Sequence, residues 1–111
     1  MKKIKCLIVG CGYWGEKIIA NLQRLENVEI SGVCDLNEKL LNKYSNFNTF
    51  NNINDINIDY DCVFIITRVK SHFSLTEYFL SKKKHVFLEK PMTLNSRDAR
   101  KLNKIANKNN R

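Results

Sequence analysis

Proline occurs once and glycine four times in the 111 residues, which excludes collagen-like, proline-rich and low-complexity architectures. Long hydrophobic runs are missing as well. The longest are Cys6 to Val9 and Cys62 to Ile66, far short of the roughly 18–20 residues a membrane-spanning helix requires. The Met1-Lys2-Lys3 opening imitates a signal peptide, but the apolar run after it stops at a glycine turn, so it reads as a first strand. Acidic residues are scarce in one region only. Residues 1–81 hold nine Lys/Arg and nine Asp/Glu, whereas residues 82–111 hold ten basic residues against Glu89 and Asp98. The whole net charge of +8 therefore sits in the last thirty positions. Phe87 is the only aromatic there, so the patch lacks the interleaved rings of a nucleic-acid reader and reads as a solvated, lysine-rich helix face. Neither a nucleic-acid nor a membrane partner is expected.

None of the four cysteines, Cys6, Cys11, Cys34 and Cys62, pairs at CxxC spacing, and no histidine joins them at ligand distance. Neither a metal site nor a disulfide framework is expected. Free thiols in apolar segments behave as small hydrophobes in a reducing compartment, so a cytoplasmic location is the default. Cys11 stands apart, in a glycine turn at a helix start where a thiol pKa can be lowered, which leaves a redox role as an alternative.

Along the chain, short apolar runs alternate with amphipathic segments, the pattern of βαβ units in an α/β, doubly wound parallel sheet of about five strands. Strands are predicted at Ile4 to Val9, Val28 to Cys34, around Thr49 and Phe50, at Cys62 to Ile66 and at His85 to Leu88. Helices are predicted from Tyr13 to about Glu26 with a buried stripe of Trp14, Ile18, Leu22 and Leu25, after an Asn37 cap with Leu40, Leu41 and Tyr44 inward, and over Ser71 to Leu80. The last helix, capped by Asn95 or Ser96, carries Ala99, Leu102, Ile105 and Ala106 on one face. Residues 1–111 are expected to form one domain, with strand five left as an edge that predicts self-association.

Gly10-Cys11-Gly12-Tyr13-Trp14-Gly15 fits GxGxxG between strand one and helix one. Its logic is a tight turn at Gly10, room for a pyrophosphate at Gly12 and close helix-to-strand packing at Gly15, with the helix N-terminus facing the phosphate. Twenty residues past Gly15, Asp35 ends strand two, where a carboxylate hydrogen-bonds both ribose hydroxyls of an adenosine. That carboxylate repels a 2′-phosphate, favouring NAD(H) over NADP(H), with Lys39 as the counterargument. Ligands of doubly wound sheets collect beyond the carboxyl ends of the strands, where strand order reverses, here between strands one and four. Gly10, Asp35, Thr67 and the Glu89-Lys90-Pro91 triplet all follow strands and share that edge. Lys90 there is either a substrate-hydroxyl ligand that stabilises a developing alkoxide or part of an ordinary turn.

These residues resemble the Gfo/Idh/MocA group, the glucose-fructose oxidoreductase and inositol dehydrogenase-like enzymes. The likeness rests on Val9 to Gly15, on Asp35, on Thr67 with His72 five residues on, and on the run His85 to Pro91. It covers nearly the whole chain and corresponds to the cofactor-binding, N-terminal part of such an enzyme. The resemblance implies a carbohydrate substrate, a catalytic role for Lys90, and a cis Lys90–Pro91 peptide. It also implies cofactor contacts from Gly10, Gly12, Tyr13, Trp14, Gly15, Asp35, Thr67 and Glu89. His72 either lines the cofactor or is structural. Two departures stand out. Thr67 is followed by Arg68 where the family commonly has proline, and Arg68 is a candidate for an anionic substrate group. The family's second domain, with its catalytic His and Asp, has no counterpart in these residues, so the chain is expected to be a fragment of a longer oxidoreductase and inactive alone. The alternatives are a stand-alone NAD(H)-sensing module that signals through its basic last helix and, from a third class, an S-adenosylmethionine-binding domain.

Overall fold

The computed structural model describes residues 2–89, 93 and 96–110. Five strands, β1 (Ile4–Val9), β2 (Val28–Cys34), β3 (Asn48–Phe50), β4 (Cys62–Ile65) and β5 (His85–Leu88), alternate with helices. These are α1 (Tyr13–Gln23), α2 (Glu38–Leu41), α3 (His72–Ser81) and α4 (Ser96–Lys108). The sheet is parallel in the order β3-β2-β1-β4-β5, so strand order reverses between β1 and β4. All five predicted strands are present, and their carboxyl ends share one edge.

Alternation along the strands divides the core into two layers. Ile8 of β1 faces one way and joins Ile19, Leu22, Val33, Leu41 and Tyr44 beneath α1 and α2. Leu7 and Val9 face the other way and meet Val63, Ile65 and Phe79 beneath α3. Leu7 and Ile8 of β1, Val33 of β2 and Val63 and Ile65 of β4 are all at 0% exposure. Near the middle of β1 the register to β2 shifts between Cys6 and Leu7, which leaves Ser31 as the extra residue of a bulge. Its hydroxyl donates to the Cys6 carbonyl over 3.2 Å.

The helices obey local rules with one correction. Asn37 caps α2 as expected, its side chain accepting from the Lys39 N–H. In α1 the buried positions are Gly15, Ile19 and Leu22; of the expected stripe Leu22 is buried and Ile18 half-buried against the core, but Trp14 and Leu25 are not. Trp14 is 62% exposed, and Leu25 lies beyond the helix end and is 49% exposed. The reason is at Gly15, where a Cβ would run into the Gly10 carbonyl. This backbone-to-backbone approach sets the roll of the helix and turns Trp14 outward. At the far end of α3, Lys83 takes a left-handed φ of 61°. The Lys84 and Lys83 N–H groups bond back to the Phe79 and Leu80 carbonyls, a Schellman closure that delivers the chain into β5. In α4, Leu102 is buried and Ala99, Ile105 and Ala106 are half-buried, as the periodicity predicted, with the basic side chains outside. Asn95, the alternative cap, lies outside the described residues.

Candidate cofactor site at the carboxyl edge of the sheet

The glycine turn is built from three different constraints. Gly10 has φ 99° and faces the Ile66 carbonyl, so a side chain there would be both strained and obstructed. Its N–H donates to the Cys34 carbonyl over 2.8 Å, tying the end of β1 to the end of β2. Gly15 lies against Gly10, as described. Gly12 is the exception, because a Cβ on it would meet nothing within 4 Å. Neither packing nor φ demands a glycine there, since its φ is −72°. The open space lies at the N-cap of α1, whose first-turn N–H groups have no intrahelical acceptors. A backbone cradle with room beside a helix N-terminus suits a pyrophosphate, so these residues fit a dinucleotide.

Asp35 closes the cradle on the β2 side. Its Oδ2 accepts from the Cys11 N–H at 2.9 Å and from the Cys11 thiol at 3.6 Å, and its Oδ1 accepts from the Asn37 N–H at 2.8 Å. The backbone beneath is held from β3. The Asp35 N–H donates to the Phe50 carbonyl, and the Asn51 side-chain amide donates to the carbonyls of Asp35 at 3.1 Å and Leu36 at 2.8 Å. The carboxylate is thus fixed in place, with acceptor capacity left for ribose hydroxyls. Leu36 projects beside it, 83% exposed.

Cys11 does not have the activated thiol that its place at a helix start suggested. It is 3% exposed, and burial, followed by the Asp35 charge, pushes its pKa up to about 12. Burial likewise raises Cys34 to about 11. Both thiols stay protonated at neutral pH, and Cys11 serves as a donor to Asp35 rather than as a redox centre.

Across the switch point, the Thr67 hydroxyl pairs with the Ser71 hydroxyl at 2.6 Å, and Ser71 donates to the Arg68 carbonyl. His72 is 1% exposed, and its Nε2 lies 2.9 Å from the Thr67 carbonyl. The imidazole therefore faces inward and anchors the loop that presents Thr67; it does not line the groove surface. Arg68 is exposed in that loop. Glu89 continues the edge, its N–H bonded to the Ile65 carbonyl at 3.2 Å. Tyr13 and Trp14 stand exposed at the start of α1 with ring centroids 5.2 Å apart, edge to face, and the Lys17 ammonium sits 4.8 Å from the Tyr13 centroid. Gly10, Gly12, Asp35, Thr67 and Glu89 are thus gathered along one edge. Lys90, Pro91 and the peptide between them lie outside the described residues.

The family model described as an oxidoreductase family with an NAD-binding Rossmann fold, Gfo/Idh/MocA, matches residues 4–111. The chain belongs to the Gfo/Idh/MocA family. No curated protein matches the sequence. Among solved structures, the WlbA dehydrogenase of Chromobacterium violaceum, in complex with NADH and UDP-GlcNAcA, superposes with a TM-score of 0.94 at 24% identity. An NAD-binding protein of Listeria innocua gives 0.91 at 27%, and apo scyllo-inositol dehydrogenase of Lactobacillus casei gives 0.90 at 25%. The alignments cover 100%, 99% and 98% of this chain, respectively, but 34% of each of those chains. This family member thus spans about a third of their length and constitutes an NAD-binding oxidoreductase domain.

Two residues of the site escaped sequence reading. Cys11 was singled out only as a candidate redox thiol, and no sequence signal links it to Asp35. Asn51 sits in an asparagine-rich stretch with no periodicity. Its place directly after the short β3, beside the end of β2, was the one available hint.

Proposed function

We propose that this chain is the cofactor-binding part of an oxidoreductase that transfers hydride between NAD(H) and a carbinol carbon of a sugar, sugar nucleotide or cyclitol. The observation that carries the reading is the open space at Gly12 beside the α1 N-terminus, with Asp35 held across from it. The NADH and UDP-GlcNAcA of the WlbA complex and the scyllo-inositol dehydrogenase among the relatives support the substrate class.

In this reading the N–H groups at the start of α1 take the pyrophosphate, and Asp35 accepts from the adenosine ribose hydroxyls. NAD(H), when bound, supplies the hydride donor or acceptor. The Asp35 carboxylate disfavours a 2′-phosphate and selects NAD(H) over NADP(H). Thr67 and Glu89 flank the path along the edge, with His72 acting through the Thr67 loop. Lys90 orients the reacting hydroxyl and holds the charge that develops on its oxygen. The proton acceptor comes from a second domain of the native-length protein. That domain, or a further copy of the chain, also covers the β5 edge, where Phe87 is 50% exposed.

The test is Lys90→Ala in the native-length protein, assayed against UDP-sugars and cyclitols with NAD⁺ while NADH binding is titrated in parallel. Turnover should fall at least a hundredfold with NADH affinity within a few-fold of wild type. Unchanged turnover would remove Lys90 from the chemistry, and absence of NADH binding in the wild type would overturn the reading itself.

A further inference from the structure

The two cysteines outside the cofactor edge are brought together by the sheet. Cys6 of β1 and Cys62 of β4 are direct partners in the parallel register, with the next partner in the row being His85 of β5. Their sulfurs are 3.3 Å apart, 56 residues apart in sequence. Adjacent strands lie roughly 4.7–4.9 Å apart, within the roughly 4.4–6.8 Å between Cα atoms that a disulfide spans. A bond between these sulfurs therefore requires little backbone movement. Among the described residues no three His, Cys, Asp or Glu side chains converge as a metal site, so the pair stands as a dithiol.

We propose that Cys6 and Cys62 form a redox-active dithiol, a modification site at which a hydroperoxide closes a cross-strand disulfide between β1 and β4. The two thiols are unequal in ways that assign roles. Cys62 is half-buried, whereas Cys6 is 2% exposed. Either S–H can donate across the 3.3 Å contact, and the Cys62 S–H also reaches the Lys5 carbonyl over 3.9 Å. The contact with Cys6 lowers the Cys62 pKa while burial and Asp61 oppose it, so access decides which sulfur meets the peroxide first. Cys62 is then the attacking sulfur and Cys6 the resolving one.

The Cys62 thiolate attacks the terminal peroxide oxygen, and the O–O bond breaks. The departing alkoxide or hydroxide takes up a proton, leaving Cys62 as a sulfenic acid. The Cys6 sulfur then attacks the Cys62 sulfur, the S–O bond breaks, and water leaves with the Cys6 proton. In total two thiols lose two electrons, and one peroxide becomes an alcohol or water plus a second water. A dithiol reductant reverses the bond by exchange. Cys11 and Cys34 take no part, because both are buried without the half-exposed partner that Cys6 has in Cys62, and the Cys11 thiol is turned to Asp35.

The experiment treats the native-length protein with hydrogen peroxide under native conditions, blocks the remaining thiols with N-ethylmaleimide, and maps peptides by mass. The expected result is a Cys6–Cys62 linked peptide about 2 Da lighter than the sum of its reduced halves. It should appear before any modification of Cys11 or Cys34 and vanish after dithiothreitol. Cys62→Ser should abolish it, and because the wild-type map reads the linkage directly, a poorly folding variant does not blunt the test. Cys6 and Cys62 both recovered as alkylated thiols, Cys62 oxidised only to sulfinic acid, or a bond formed between two copies of the chain would each overturn the proposal.

Discussion

The main-chain N–H of Cys11 donates to Oδ2 of Asp35 over 2.9 Å, so the glycine turn and the Asp35 carboxylate form one connected unit 24 residues apart in sequence. The Cys11 thiol adds a second donor at 3.6 Å. Because Asn37 holds the other oxygen, the carboxylate is oriented before a dinucleotide arrives, and little ordering cost remains for binding.

Replacing Asp35 with serine should weaken NADH binding about ten- to a hundredfold, as expected for losing hydrogen bonds to a charged acceptor worth about 1.5–3 kcal/mol. NADPH binding should change less, because a repulsive charge is removed with them. Titration of both dinucleotides checks this, and an unmoved NADH-to-NADPH ratio would count against Asp35 as the discriminating group.

Gly12 and Gly15 should separate stability from binding. Gly12→Ala should leave the urea midpoint almost unchanged, since its Cβ enters open space, yet it should weaken NADH by crowding the pyrophosphate. Gly15→Ala should instead cost about 1–3 kcal/mol of stability, because the new Cβ meets the Gly10 carbonyl. Equal losses of stability in the two variants would refute the assignment.

Asn51→Ala removes two side-chain donors from the Asp35 and Leu36 carbonyls. The expected loss is about 0.5–1.5 kcal/mol per bond in stability. NADH affinity should fall several-fold even where the protein remains folded. If calorimetry shows native affinity in the folded variant, the Asp35 turn does not depend on this clamp.

Lys83 holds the left-handed position of the α3 terminus with φ 61°. Glycine is the residue best suited to that geometry, so Lys83→Gly should raise stability by roughly 0.5–1 kcal/mol. Chemical denaturation measures it, and a loss of similar size would show that the lysine side chain contributes more than the backbone strain costs.

Stability should also fall at alkaline pH. The folded-state pKa of Cys11 is raised from the ordinary 9.0 to about 12 and that of Cys34 to about 11. The unfolded thiols deprotonate first, so their contribution is complete below about pH 9 and is lost as pH rises toward the folded values. Each thiol adds a slope approaching 1.4 kcal/mol per pH unit in that window. The stability difference between wild type and Cys34→Ala should narrow between pH 8 and 10.5; a constant difference would show that the Cys34 thiol does not drive the loss.

Local order determined how much of this was legible in advance. The strands at Ile4–Val9, Val28–Cys34 and His85–Leu88 and the Asn37 cap are where β-branched runs and capping chemistry placed them, because those preferences act over a few residues. The glycine spacing and Asp35 were legible for the same reason, since a turn, a helix start and a strand end are local features. In the α1 stripe Ile18 and Leu22 were legible, but Trp14 was not, because hydrophobicity favoured it while the close contact of Gly15 with Gly10 decided the roll of the helix.

By itself, then, the sequence determined the α/β alternation, the dinucleotide turn and the carboxyl edge on which the polar residues fall. Only the tertiary structure decided that Cys11 is buried against Asp35, that Asn51 braces that turn, that His72 faces inward beneath Thr67, and that Cys6 meets Cys62. Each of the long-range pairs joins elements neighbouring in the sheet but distant along the chain. Spacing rules register contacts a few residues apart, whereas parallel pairing through crossover helices creates neighbours 24 or 56 residues apart.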